Sequence, residues 1–221
     1  KNLINKMFRI AKNLIILDKT SEKFFIEQLE MDEEKIVILE NAIPDPKIEN
    51  KVLSKDHLKF LFLGRLEQEK GIDITLDVAE QMPEKEFIIA GTTKKEKIKQ
   101  RINDLENVEH LGYVEDMKEA YKQTRIVLVP SKWEEPYGRI PIEAGASGIP
   151  TIATSNGGLS ESVGNSELLV DSEDSEKFVE KIKEVEEKYE KFSEKARENT
   201  EEKSQEKQLE KFEGLMEDVK K

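Results

Sequence analysis

The chain has 221 residues, 38% of them charged and 36% hydrophobic, with a formal net charge of −12. That length holds one sizeable core or two small ones, and the negative charge speaks against nucleic acid, whose phosphates reward clustered Lys and Arg. With no cysteine and only His57 and His110, disulfides and thiolate metal sites are excluded and a histidine-built metal centre is not expected.

Residues 1–40 predict a helix carrying Leu3, Met7 and Ala11, a strand over 13–17, a helix over 21–29 and a strand over 35–39. Two parallel strands are too few for an independent domain. This part is therefore expected to be the end of something larger, and Asn41-Ala42-Ile43-Pro44-Asp45-Pro46 reads as the linker that leaves it. No signal-peptide pattern follows Lys1, and no run approaches the ~20 apolar residues of a membrane span. A soluble, cytoplasmic protein is the expectation.

From His57 to Asp171 short apolar runs alternate with amphipathic ones. Strands are predicted over 58–63, 87–90, 108–111, 126–129, 151–153 and 168–170. Helices are predicted over 72–82, 94–105, 117–123, 141–147 and 159–163. In the first of these helices Ile72, Leu76 and Ala79 recur at spacings of four and three, as one buried face requires. Pro141 suits the first helical position, and Gly148 and Pro150 suit the stop. Strand–helix alternation predicts an α/β fold with a doubly wound, Rossmann-like parallel sheet. Ligands of such sheets bind beyond the carboxyl ends of the strands.

From Ser175 onward the chain is Lys/Glu-rich helix. Phe178, Ile182, Val185, Tyr189, Phe192 and Ala196 form one narrow stripe, and Leu209, Phe212, Met216 and Val219 form a second after a polar gap. The gap argues against a coiled coil, so packing on this same chain is expected. Three parts follow: residues 1–45 as terminal segment and linker, 46–175 as the binding domain, and 176–221 as helices packing back toward the N-terminal part.

Chemistry concentrates in the run Glu135-Pro136-Tyr137-Gly138-Arg139-Ile140-Pro141-Ile142-Glu143-Ala144. A helix starting at Pro141 puts Glu135 in the preceding loop and Glu143 in the first turn. Both can then face a site where helix N–H groups favour phosphate. Two carboxylates beside an anion site suit a phosphorylated, hydroxyl-rich ligand. The turn Gly64-Arg65-Leu66 through Lys70-Gly71 carries two cations to the same edge of the sheet. Alone it reads as a solvated loop with one arginine. Leu111-Gly112-Tyr113-Val114 alone is a strand end with an aromatic, and the glycine-rich loop 154–161 alone is a flexible connection.

Together, in order, these pieces are more specific than any one of them. The Glu-x7-Glu motif lies in a stretch that resembles "EPFGxxxxEAxAxGxPVIAxxxGGxxE", with Tyr137 where Phe is more usual. The chain thus resembles the retaining nucleotide-sugar glycosyltransferases of family 4, which have the GT-B fold, from about Ala11 to its end. The resemblance implies catalytic roles for Arg65 and Lys70, on the leaving diphosphate, and for Glu135, on hydroxyls of the donor sugar. It implies that Glu143 accepts from the ribose hydroxyls and that backbone around Tyr137, Gly138 and Arg139 supports phosphate. Gly64 belongs to the diphosphate turn, and Gly112, Tyr113 and Val114 would line the base.

The implied substrate is a UDP- or GDP-sugar, transferred with retention and with no metal or other cofactor. The acceptor, lipid-linked, polysaccharide or smaller, would be held mainly by a first domain expected to lie outside this sequence. The C-terminal stripes would then cross to that domain and be only partly covered here. A non-catalytic subunit that binds the nucleotide sugar for a partner, and a nucleotide-sugar epimerase, are the alternatives. Preplaced cations answer the charge that builds on the leaving diphosphate. One Arg–phosphate contact at about 4 Å is worth about 4 kcal/mol at an effective dielectric of about 20, before desolvation.

Overall fold

The computed structural model describes residues 7–8, 10–42, 59–171, 173–201 and 203–220. Leu3, residues 43–46 of the linker, His57 and Leu58 lie outside them. The chain divides into two units, one formed by Lys1–Asp45 with Glu202–Lys221 and the other by Pro46–Glu201.

In the first unit, β1 (Leu14–Ile16) and β2 (Ile36–Ile38) pair in parallel, with Leu14 opposite Ile36 and Ile16 opposite Ile38. Between them runs α1 (Lys19–Leu29). Its start is set by Asp18, a buried N-cap whose carboxylate accepts from Ser21 N at 2.6 Å and Ser21 Oγ at 2.8 Å. Met7, Phe8 and Ile10 are helical.

The second unit follows the alternation read from the pattern: β3 (Lys59–Leu63), α2 (Ile72–Gln81), β4 (Phe87–Ala90), α3 (Glu96–Asp104), β5 (Val108–Gly112), α4 (Lys118–Lys122), β6 (Thr124–Val129), α5 (Arg139–Ala146), β7 (Thr151–Thr154), α6 (Leu159–Val163), β8 (Leu169–Val170), α7 (Ser175–Glu187) and α8 (Tyr189–Glu201). The six strands are all parallel, in the order β5-β4-β3-β6-β7-β8. Phe60, Leu61 and Phe62 of β3 and all of β4 are buried on both faces, which is why these strands read as unbroken apolar runs. After β5 the chain returns to the other side of β3. The winding therefore reverses between β3 and β6, and sheets of this kind take their ligands beyond the carboxyl ends at such a reversal.

Element ends shift from expectation by one or two residues, and two of the shifts are informative. Helix α5 begins at Arg139, with Gly138 (φ 84, ψ 93) as its N-cap, so Pro141 is the third helical residue. Its missing N–H still falls in the first turn, where no intrahelical acceptor exists. Leu168 lies in a 3-10 turn (Ser166–Leu168), which leaves β8 only two residues.

The C-terminal stripe is divided between two helices. The chain breaks at Lys188 (φ −117, ψ 30), so α7 packs on α2 and α8 on α5. Phe178, Ile182, Val185 and Phe192 are fully buried inside the second unit, contrary to the expectation of a partly uncovered surface. Each such side chain contributes about 2–3 kcal/mol of burial, which a local partner can supply as well as a distant one. At Gly145 a Cβ would lie 2.8 Å from both Ala196 O and Thr200 Cγ2, so glycine lets α8 approach α5 closely. Helix α9 (Gln205–Lys220) belongs to the first unit, where Lys203 Nζ lies 3.5 Å from Glu40 Oε1. Its Leu209, Phe212 and Met216 remain exposed; the side chain of Val219 lies outside the described residues. Among the described residues no helix is long and apolar enough to cross a membrane.

Candidate functional site

The loops that follow β3 and β6 are fastened to each other at the reversal point. A 3-10 turn (Gln68–Lys70) ends at Gly71, whose φ of 74 suits glycine and where a Cβ would run into Pro130 O. Glu69 O accepts from Lys132 N at 2.9 Å and from Trp133 N at 3.1 Å. That backbone docking delivers Lys70 to Glu135, with Nζ 2.5 Å from Oε1. The same oxygen accepts from Ser131 Oγ at 2.9 Å.

The β7 loop closes the other side. Ser131 O accepts from Thr154 Oγ1 at 2.6 Å and Asn156 Nδ2 at 2.7 Å. Glu135 bridges in parallel to Gly157, and its carbonyl accepts from Gly158 N at 2.7 Å. A side chain at Gly157 would strike the Glu135 backbone, so glycine there is what lets the two loops meet.

Glu143 lies on α5, with its own partners. Arg139 Nη2 is 3.0 Å from Oε1, and the Tyr121 hydroxyl donates to Oε2 at 3.4 Å. Burial, and then the charge of Glu143, push the Tyr121 phenol far above its ordinary value, so it stays protonated and a donor. Lys132 turns away from Glu135 to Asp73 (2.9 Å) and Glu173 (3.3 Å). Burial lowers its pKa, but the bonds to these two carboxylates outweigh that and raise it.

The other predicted residues line the same edge. Arg65 is 69% exposed and pairs with Glu67 at 2.8 Å. Gly64, at φ 145, donates to Ala90 O at 3.0 Å, and Gly91 N donates to Gly112 O at 2.7 Å, so the ends of β3, β4 and β5 are stitched together. Tyr113 is 79% exposed just beyond β5, and Val114 packs against the core. Gly138 has no room for a Cβ beside Leu159 and Ser162. Tyr137 is 2% exposed, and its ring is packed in the interior.

Lys70 is thus brought directly onto Glu135, and Arg139 onto Glu143; Arg65 stands apart from both carboxylates. Sequence reasoning missed Ser131 and Tyr121. A small hydroxyl residue two positions beyond β6, four positions before an acid, was the available signal for the first. Tyr121 meets Glu143 only through the fold. Cations and carboxylates gathered at the carboxyl edge suit a ligand that carries both phosphate and sugar hydroxyls.

The chain is similar to known proteins. The family model described as glycosyl transferases group 1 matches residues 45–206. The O-antigen biosynthesis glycosyltransferase WbnH of Escherichia coli is 27% identical over 173 residues, which is 77% of this chain and 50% of that protein. The mannosylfructose-phosphate synthase of Agrobacterium fabrum is 35% identical over 136 residues, 52% of this chain and 30% of that one. The chain spans about half the length, or less, of these curated relatives. Among solved structures, a glycosyltransferase from Rickettsia africae superposes with a TM-score of 0.86 at 19% identity, over 100% of this chain and 68% of that one. Anabaena HepE, solved with UDP and glucose, gives 0.78 at 21% identity over 98% and 65%. At such identities the likeness establishes the fold, which is the Rossmann-like one of GT-B proteins.

Proposed function

Since this chain belongs to the group 1 glycosyl transferases, we propose that it binds a nucleoside-diphosphate sugar and serves in passing that sugar to an acceptor. The observation that carries the proposal is the Lys70–Glu135 contact across the reversal of the sheet. It puts a cation for phosphate and a carboxylate for hydroxyls within one bond of each other. An ammonium has three protons, so Lys70, parked on Glu135 in the free chain, has donors to offer an arriving diphosphate.

In this proposal Arg65 and Lys70 bind the diphosphate. When the bond from the anomeric carbon to the phosphate oxygen breaks, its electrons go to that oxygen, and the two cations stabilise the charge. Glu135 accepts from sugar hydroxyls and Glu143 from the ribose. Backbone of Tyr137, Gly138 and Arg139 meets phosphate, and Gly64 keeps the diphosphate turn open. Gly112, Tyr113 and Val114 line the base. Transfer retains the anomeric configuration, as in family 4, and the two cations do the work a metal does elsewhere. The UDP and glucose held by the Anabaena structure support a nucleotide-sugar ligand, and the name of the Escherichia coli relative supports a polysaccharide or lipid-linked acceptor. Residues 1–45 are proposed to belong to the acceptor-binding part.

A thermal-shift panel of UDP, GDP, UDP-glucose and GDP-mannose tests the binding. A ligand at about 100 times its Kd stabilises the folded state by about 2.7 kcal/mol, a readily measured rise in Tm. No shift with any member of the panel at millimolar concentration would refute nucleotide-sugar binding.

A further inference from the structure

We propose that Ser131 is the positioning residue for Glu135, setting how much the sugar adds to nucleotide affinity; this rests on Glu135 being the sugar-binding carboxylate proposed above. Ser131 is wholly buried, two residues beyond the end of β6. Its hydroxyl has one proton and two lone pairs. Three acceptors surround it: Glu135 Oε1 at 2.9 Å, Glu69 O at 3.2 Å and Trp133 O at 3.4 Å. The proton goes to Glu135, which is both the nearest and the only charged one. Trp133 N, at 3.3 Å, donates to the serine oxygen in return.

The serine is itself immobile. Thr154 Oγ1 and Asn156 Nδ2 hold its carbonyl from the β7 loop, and Lys132 N and Trp133 N tie the next two residues to Glu69. A glutamate's last torsion is broad, so its carboxylate plane is set by whatever it bonds. Here Lys70 and Ser131 both donate to Oε1, while among the described residues no donor reaches Oε2. The free oxygen is the one available to a hydroxyl of the sugar.

The two anchors differ in kind. Lys70 is a charge on a flexible stem, and a diphosphate will draw it away from Glu135. Ser131 is neutral, buried and tied to two loops. It is the contact that stays when the ligand engages Lys70.

The test compares Ser131→Ala with wild type in the 221-residue chain by calorimetric titration. UDP and UDP-glucose are the probes, or GDP and GDP-mannose if the wild type prefers them. The expected result is UDP affinity within twofold of wild type and a loss of about tenfold in the ratio of UDP-glucose to UDP affinity, the size of one hydrogen bond. An unchanged ratio overturns the proposal, and so does an equal fall for both ligands, which marks a structural role. If Ser131→Ala does not fold, Ser131→Cys keeps the size with a weaker donor, and its ratio must fall part of the way. Glu135→Ala separates the two levels. A wild-type ratio in Glu135→Ala sinks the sugar-binding role of Glu135 itself; a ratio lost there but kept in Ser131→Ala sinks only the positioning role.

Discussion

Lys70 and Glu135 share a 2.5 Å hydrogen bond although they stand 65 positions apart, and the bond crosses the point where the sheet reverses its winding. One residue comes from the loop after β3 and the other from the loop after β6. Neither charge is left to repel or be stripped of water alone. The pair keeps a cation partly out of solvent and ready for an anion, at the place where a parallel sheet takes its ligands.

Lys70→Ala should lower UDP affinity by about 10- to 100-fold, the worth of a hydrogen bond to a charged group. Arg65→Ala should lower it too, by an amount that shrinks in high salt, because Arg65 is exposed and its interaction is screened. Calorimetry at low and high salt checks both. Wild-type affinity in the two variants would remove them from the diphosphate site.

Glu143→Ala should erase the preference for UDP over its 2′,3′-dideoxy analogue. Arg139 and Tyr121 hold this carboxylate, and a ribose hydroxyl is the ligand group proposed to reach it. Competition binding with the two nucleotides gives the answer. A variant that still prefers the ribose form would assign that contact to other residues.

Gly71→Ala should destabilise the protein by at least about 2 kcal/mol, combining a strained positive φ with a clash against Pro130 O. Gly214→Ala is the contrast. It lies within α9, and nothing stands within 4 Å of where its Cβ would be. That change should stabilise by about 0.5–1 kcal/mol. Urea midpoints measure both.

Glu167 is hydrogen-bonded by Lys191 and Lys195, and its pKa is thereby lowered from 4.5 to about 2. A carboxylate depressed on folding adds stability that is fully present above its unfolded value and is lost as pH falls through the folded one. Glu167→Gln should therefore be less stable than wild type above about pH 4.5, and the difference should vanish as pH approaches about 2. Because the group is exposed, the gap should also narrow in high salt. Thermal melts across pH, with and without added salt, test the sign. A gap that widens on acidification would contradict it.

The elements of the second unit were legible because each is announced locally. Ile72, Leu76 and Ala79 sit at helical spacing, and all of them are buried on α2. The apolar runs predicted over 58–63 and 87–90 correspond to β3 (Lys59–Leu63) and β4 (Phe87–Ala90), which are buried at their centres. Where local rules compete, the boundary moved: Pro141 suits any place in a helix's first turn, and the positive φ of Gly138 decided which. The stripe Phe178–Ala196 was legible as buried surface but not as to its partner. A break at Lys188, which no proline or glycine marks, sends its halves to two different helices.

The site divides in the same way. From the sequence alone it followed that Glu135, Glu143, Lys70 and Arg65 lie at strand ends and helix starts, because turns and periodicity are short-range properties of the chain. Which of them touch depended on strand order. Placing β6 beside β3 joins Lys70 to Glu135 and leaves Arg65 apart from that carboxylate. A hydrogen bond depends on tenths of an ångström between atoms many positions apart. Only the packed sheet sets those distances, and so only the tertiary structure decided which groups act together.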